Sequence, residues 1–174
     1  LYPMVPIHGE ESHNEWEITF EEIHRNNIIV YAIMQFSRVT GNKEYIAYYG
    51  LEVMIAISRF WSQRVSFSEA RQKYVLLGVT GPNEYENNVN NNWYTNYSCV
   101  QCLQSTIECL EMVAHEYPEE YNRIRRSTEF RHAEETARWK EIIEKMYLPE
   151  DKERGIFVQD DGYPDKVLGT VDDI

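Results

Sequence analysis

Between Thr19 and Thr40 apolar side chains fall on most sides of a helical wheel, with Phe20, Ile23, Tyr31 and Met34 around the run at residues 28–33. A helix apolar all round is stable only when other protein covers it, so this stretch requires a multi-helix body around it. Thr19 and Glu22 hold capping-box spacing at its start, and Gly41-Asn42 is a stop signal at its end. A second helix is predicted from about Lys43 to Arg64, again rich in large apolar groups (Tyr45, Tyr48, Leu51, Met54, Ile55, Phe60 and Trp61). Two long helices joined by so short a turn form an antiparallel hairpin.

Residues 1–17 carry Pro3, Pro6 and Gly9 without a sustained period and read as a loop. Between Val65 and Val79 the period shortens, which predicts a small β-hairpin. Helical period returns from Trp93 or Thr95 to about Tyr117, through Val100, Leu103, Ile107, Leu110 and Val113, and Pro118 ends it. A shorter helix over residues 119–124 and another from about Arg131 to Tyr147 follow, and the tail from Gly155 to Asp165 reads as a short extended piece and a turn. The fold class is therefore all-α with one small hairpin. Polar motifs confined to the connections at helix ends suit a helical toroid, although periodicity alone does not separate that from a four-helix bundle.

The connection from Gly78 to Asn96 packs more polar and aromatic groups together than any other. Pro82 fixes φ while Gly81 and Asn83 tolerate strained backbone, so the chain reverses just before Glu84 and sets that carboxylate on a loop. Five asparagines, two tyrosines and a tryptophan lie between Tyr85 and Tyr94. Carboxamides hydrogen-bond hydroxyls, and rings stack on the apolar face of a pyranose, so the segment is a candidate sugar rim with Asn83, Tyr85, Asn92 and Trp93 as binding residues. Asn-rich loops are also ordinary solvated turns, and composition leaves both readings open. A second cluster, His13-Asn14-Glu15-Trp16-Glu17, suits hydroxyl binding and ring stacking through His13, Glu15 and Trp16. The plainer alternative makes Asn14 or Glu17 a helix cap and Trp16 a staple onto the core.

Composition narrows the partners. The 17 Lys and Arg against 29 Asp and Glu give −12, which disfavours nucleic acid, anionic membrane and acidic partners. The absence of any Lys or Arg from Gly78 to Asn96 argues the same way for that site. No apolar run approaches membrane-spanning length. Cys99, Cys102 and Cys109 share one predicted helix, where a disulfide framework makes little sense, so they read as core residues of a cytoplasmic protein. Cys99-x-x-Cys102 lacks the second Cys pair of a zinc site. A length of 174 residues suits one unit, and the lack of an initiator Met and of a recognisable tail leads us to expect that residues 1–174 are an incomplete segment of a longer enzyme.

The run Gly-Pro-Asn-Glu-Tyr-Glu-Asn-Asn-Val-Asn-Asn-Asn-Trp-Tyr-Thr-Asn at residues 81–96 resembles the signature around the general acid of the glycoside hydrolase family 65 disaccharide phosphorylases. The second cluster, followed by Ile-Thr-Phe-Glu-Glu-Ile-His-Arg-Asn, resembles the loop that borders the acceptor side of the pocket in that family. The similarity covers essentially all 174 residues. It implies an (α/α)6-barrel catalytic domain of which this chain is part, and an inverting phosphorolysis of an α-glucosidic disaccharide, maltose plus phosphate giving β-glucose 1-phosphate plus glucose. Trehalose, trehalose 6-phosphate and kojibiose are the substrates of the related alternatives, and an inverting α-glucosidase is another.

The resemblance assigns Glu84 as proton donor. Phosphate is an anionic nucleophile that needs no base, so one carboxyl suffices, and neither cofactor nor metal is implied. For Glu84 to act near neutral pH its carboxyl must be held out of water, a task expected of Trp93 and Tyr94. A homodimeric parent is implied, while the donor-site and phosphate-site groups fall outside the segment. The segment alone is therefore expected to be inactive and to self-associate through apolar helix faces. A third stretch, Val158-Gln159-Asp160-Asp161-Gly162-Tyr163-Pro164-Asp165, resembles a family loop with Asp160 and Pro164 as departures, and reads as structural because it lacks the glutamate and flanking helices of a calcium loop.

Three other classes remain on the residues. Glu21-x-x-His24 and Glu129-x-x-His132 have the spacing of a di-iron bundle, with Glu44 or Glu52 and Glu108 as further ligands, although Arg123, Arg125, Arg126 and Arg131 make the second pair look like a solvated face. A carbohydrate-binding module would use the same aromatics and amides with Glu84 dispensable, and a purely structural helical domain would bind no sugar.

Overall fold

The computed structural model describes residues 8, 18–167 and 169–170, so His13, Glu15 and Trp16 lie outside the described residues. The first predicted helix is two: α1 (Ile18–Glu21) and α2 (Arg25–Thr40). The chain breaks at residues 22–24 because Ile23 and His24 turn into the interior, and Ile23 N donates to the Glu21 carbonyl at 2.8 Å. Thr19 and Glu22 therefore do not cap the long helix, which begins after His24 without a side-chain cap. Gly41, at φ 71°, ends α2 in the left-handed conformation that a side chain would resist.

A π-helical turn (Ile46–Gly50) runs directly into α3 (Leu51–Arg64). The expected hairpin is present as β1 (Ser66–Ser68) and β2 (Lys73–Val75), antiparallel with Phe67 opposite Tyr74. After the long connection come α4 (Trp93–Glu116), α5 (Pro118–Ser127) and α6 (His132–Lys145). The tail forms a second antiparallel pair, β3 (Glu150–Asp151) with β4 (Ile156–Phe157), and a 3-10 turn at Tyr163–Asp165.

Helix α4 is the spine, packed against α2, α3, α5 and α6. Leu51, Met54, Ile55 and Trp61 of α3 meet Leu103, Leu110 and Val113 of α4 and Trp139 and Ile142 of α6 in a single buried cluster. Each large side chain so buried contributes about 1.5–3 kcal/mol relative to exposure. The three cysteines are free and buried, as their helical spacing predicts, and burial pushes the Cys102 and Cys109 thiols up to about 12. Between α3 and α6 the Arg59 guanidinium grips the Glu135 carboxylate with two bonds of 2.6 and 2.8 Å. Among the described residues no helix is long and apolar enough to cross a membrane.

Candidate active site

The connection between β2 and α4 is drawn into a closed loop. Val79 and Val89 exchange both backbone hydrogen bonds at 2.9 Å, and Glu84 lies on the tip beyond them. Tyr85 N donates to Asn83 Oδ1 at 3.4 Å and Glu86 N to the Asn83 carbonyl at 3.2 Å, so the turn starts at Asn83 and has Glu84 and Tyr85 at its centre, rather than reversing before Glu84. Gly81 is buried where a Cβ would stand 2.4 Å from Asn92 Nδ2, so the close approach requires glycine.

Asn91, Asn92 and Asn96 are buried, whereas Asn83, Asn87, Asn88 and Asn90 are exposed. Asn91 is buried, accepts from Leu76 N at 3.2 Å and Asn96 Nδ2 at 3.3 Å, and donates to Asp161 Oδ2 at 2.7 Å. Asn90 Oδ1 accepts from Gly78 N at 3.1 Å. Asn92, expected to bind sugar, is buried and caps α4, its Oδ1 accepting from Thr95 N and Thr95 Oγ1, each at 3.0 Å. At Asn90, Asn91 and Asn92 the amide-rich rim is thus scaffold. Its signal was local, an Asn immediately before the first residue of a helical run.

Asn83 and Trp93 border a cleft of about 310 Å³ with Asn92, Phe157 and Gln159. Trp93 stacks on Tyr97 with centroids 4.8 Å apart and tilts against Phe157 at 4.4 Å. Among the described residues the buried Trp93 Nε1 and Gln159 Nε2 have no hydrogen-bond partner, so two N–H donors at this cleft are unsatisfied. The sequence analysis assigns no site role to Phe157 of β4 or to Gln159, which lies in the tail stretch read as structural. That motif does brace the loop, with Trp93 N donating to the Gln159 carbonyl at 2.8 Å and Asp161 N to the Asn90 carbonyl at 3.1 Å.

Glu84 and Tyr85 are exposed, Tyr85 at 95%. Trp93 and Tyr94 do not wall Glu84 from water as expected, because their rings have other partners: Trp93 the stack just described, Tyr94 the edge of His24 at 5.6 Å. His24 was considered only as a metal ligand. Burial holds its imidazole below the usual 6.5, and the Arg25 charge adds to that, while the Thr80 backbone and the Glu84 carboxylate act in the opposite direction.

The di-iron arrangement does not assemble. Glu21 bonds Thr80 and Asn88, while a His132 ring nitrogen pairs with the Tyr121 hydroxyl at 2.7 Å. Among the described residues no three His, Cys, Asp or Glu side chains gather in a way that could hold a metal ion.

The chain matches the glycosyl hydrolase family 65 central catalytic domain over residues 1–173. It is 51% identical to maltose phosphorylase from Bacillus subtilis (strain 168) over 174 residues, 100% of this chain and 22% of that one. Identity to kojibiose phosphorylase from Thermoanaerobacter brockii is 34% over 151 residues, covering 87% of this chain and 19% of the relative. The chain thus spans about a fifth of the length of these curated relatives. A solved structure of a human-microbiome protein assigned as a kojibiose phosphorylase superposes with a TM-score of 0.85 at 26% identity, over 99% of this chain and 25% of that one. Because sequence and backbone agree from the first helix through the tail, the helices described above are part of an (α/α)6-type domain, and the chain belongs to glycosyl hydrolase family 65.

Proposed function

We propose that residues 1–174 are an incomplete segment of the catalytic domain of a longer, cytoplasmic, homodimeric enzyme that phosphorolyses maltose with inversion. The observation that carries this reading is the 51% identity to a maltose phosphorylase along the whole chain, Glu84 loop included. In the step, the Glu84 carboxyl delivers its proton to the glycosidic oxygen as the bond from that oxygen to C1 breaks. A phosphate oxygen attacks C1 from the opposite face, so glucose leaves and β-glucose 1-phosphate forms. No redox partner or metal enters this balance, and phosphate is a substrate.

Asn83, Trp93 and Gln159 line one wall of the sugar site, with the exposed Asn83 carboxamide for hydroxyls and the Trp93–Phe157 pair as apolar surface. Asn92 shapes the floor through its cap, its Oδ1 already accepting from Thr95, rather than by bonding sugar hydroxyls. Tyr85 projects from the tip beside Glu84, and His13, Glu15 and Trp16 take the acceptor side.

Kojibiose is the second reading, favoured by the 34% identical relative and by the structural neighbour. Assaying the full-length protein with maltose, kojibiose and trehalose, each with phosphate, separates them. The expected outcome is glucose 1-phosphate of β configuration from maltose. Turnover of kojibiose or trehalose in its place would correct the substrate and keep the reaction class, and phosphate-independent hydrolysis would overturn both.

A further inference from the structure

We propose that Glu21 is a positioning residue for the proton donor, holding both limbs of the Glu84 loop with one carboxylate oxygen; this rests on the reading of Glu84 as the acid. Glu21 Oε2 accepts from Thr80 Oγ1 at 2.6 Å on the ascending limb and from Asn88 N at 2.9 Å on the descending limb. Asn88 N also reaches Thr80 Oγ1 at 3.3 Å, which closes the three groups into one network. The Glu21 carbonyl accepts from Thr80 N at 3.1 Å, so backbone and side chain of one residue engage the same limb.

The placement is symmetrical about the acid. Glu84 stands four residues from Thr80 and four from Asn88. Thr80 is fully buried, and the Val79–Val89 pair lies next to both anchors, so the tip at residues 81–87 hangs from a fixed clasp. Asn88 has a left-handed φ of 51°, a conformation its side chain tolerates but does not prefer. The bonds to Glu21 and Thr80 hold that backbone N–H in its aim.

The clasp refers the loop to the core rather than to solvent. Glu21 is the last residue of α1, and the chain break after it, which buries Ile23 and His24, sets the orientation of its carbonyl and side chain. At the break the Glu21 carbonyl uses both lone pairs, accepting from Ile23 N at 2.8 Å and from Thr80 N at 3.1 Å. A general acid displaced by about 1 Å loses on the order of 10²-fold in rate, so a clasp four residues away acts on catalysis without touching substrate.

The test uses the full-length enzyme, with maltose, phosphate and α-glucosyl fluoride as probes. Fluoride is a leaving group that depends far less on a delivered proton than a sugar alkoxide. Glu21→Ala is expected to lower kcat on maltose by about 10²-fold, with KM for maltose and phosphate within about threefold, and to lose less than about fivefold on the fluoride. Glu21→Gln keeps an acceptor oxygen and should recover to within about tenfold of wild type, and Thr80→Val, which removes one donor at constant shape, should fall by about tenfold on maltose alone.

Equal losses on both substrates would mean a structural role only and would overturn the proposal. So would unchanged kcat on maltose in Glu21→Ala, or in Thr80→Val if the alanine variant fails to fold, while Glu84→Gln is inactive. Full maltose activity in Glu84→Gln would instead remove the reading on which the proposal rests.

Discussion

Asn83 Nδ2 donates to Gln159 Oε1 at 3.1 Å, joining the turn that carries Glu84 to the loop after β4 across 76 positions of sequence. The bond fixes the Gln159 carboxamide at the cleft and leaves its Nε2 without a partner there. Gln159→Ala should raise KM for the disaccharide by about two- to tenfold in the full-length enzyme, the loss of one or two neutral hydrogen bonds, with kcat changed less. Steady-state kinetics check this, and an unchanged KM would remove Gln159 from the sugar wall.

Gly81 and Asn92 should be energetically coupled. Ala at position 81 drives its Cβ against the Asn92 side chain, and the cost is about 1–3 kcal/mol with the α4 cap displaced. Asn92→Ala costs about 1 kcal/mol through loss of that cap. The double variant should lose less than the sum, because the smaller side chain makes room for the new methyl. Urea unfolding of the four proteins measures the cycle; strict additivity would show that the two side chains do not collide.

The α3–α6 tie predicts a pH dependence. Burial alone would push the Glu135 carboxyl up, but bonds from Arg59 and the Arg131 backbone, with both guanidinium charges, outweigh it and hold the group below its usual 4.5. A carboxyl depressed in the folded state contributes stability that is fully present above about 4.5 and is lost as pH falls through its lowered value. Glu135→Gln should therefore cost about 1–2 kcal/mol near pH 7, after discounting for partial exposure of the pair, and the gap to wild type should close below pH 4. A gap that stays constant across unfolding curves at pH 7, 5 and 3.5 would contradict the linkage.

The helices and the Val65–Val79 hairpin were legible because apolar period and punctuation act locally, as at Gly41 and Pro118. The break at residues 22–24 was not, since it exists to bury Ile23 and His24 against elements distant in sequence. A turn near Glu84 was readable from Gly81-Pro82-Asn83, although it lies one step later, with Glu84 and Tyr85 at its centre. The allotment of the asparagines was not, because a carboxamide serves equally well facing a sugar or a backbone. Only the partners of Asn90, Asn91 and Asn92, at Gly78, Leu76 and Thr95, decide between these uses. Spacing alone makes Glu21 an iron-ligand candidate, whereas its bonds to Thr80 and Asn88 make the same carboxylate a clasp.

The most direct test of the account is phosphate-dependent release of glucose from maltose by the full-length enzyme, with and without Glu84→Gln. The account predicts β-glucose 1-phosphate and glucose in equal amounts from wild type, and a loss of about 10²–10⁴-fold or more in the variant, as removal of a general acid requires. Undiminished turnover by Glu84→Gln, or no action of the wild type on any α-glucoside, would contradict it.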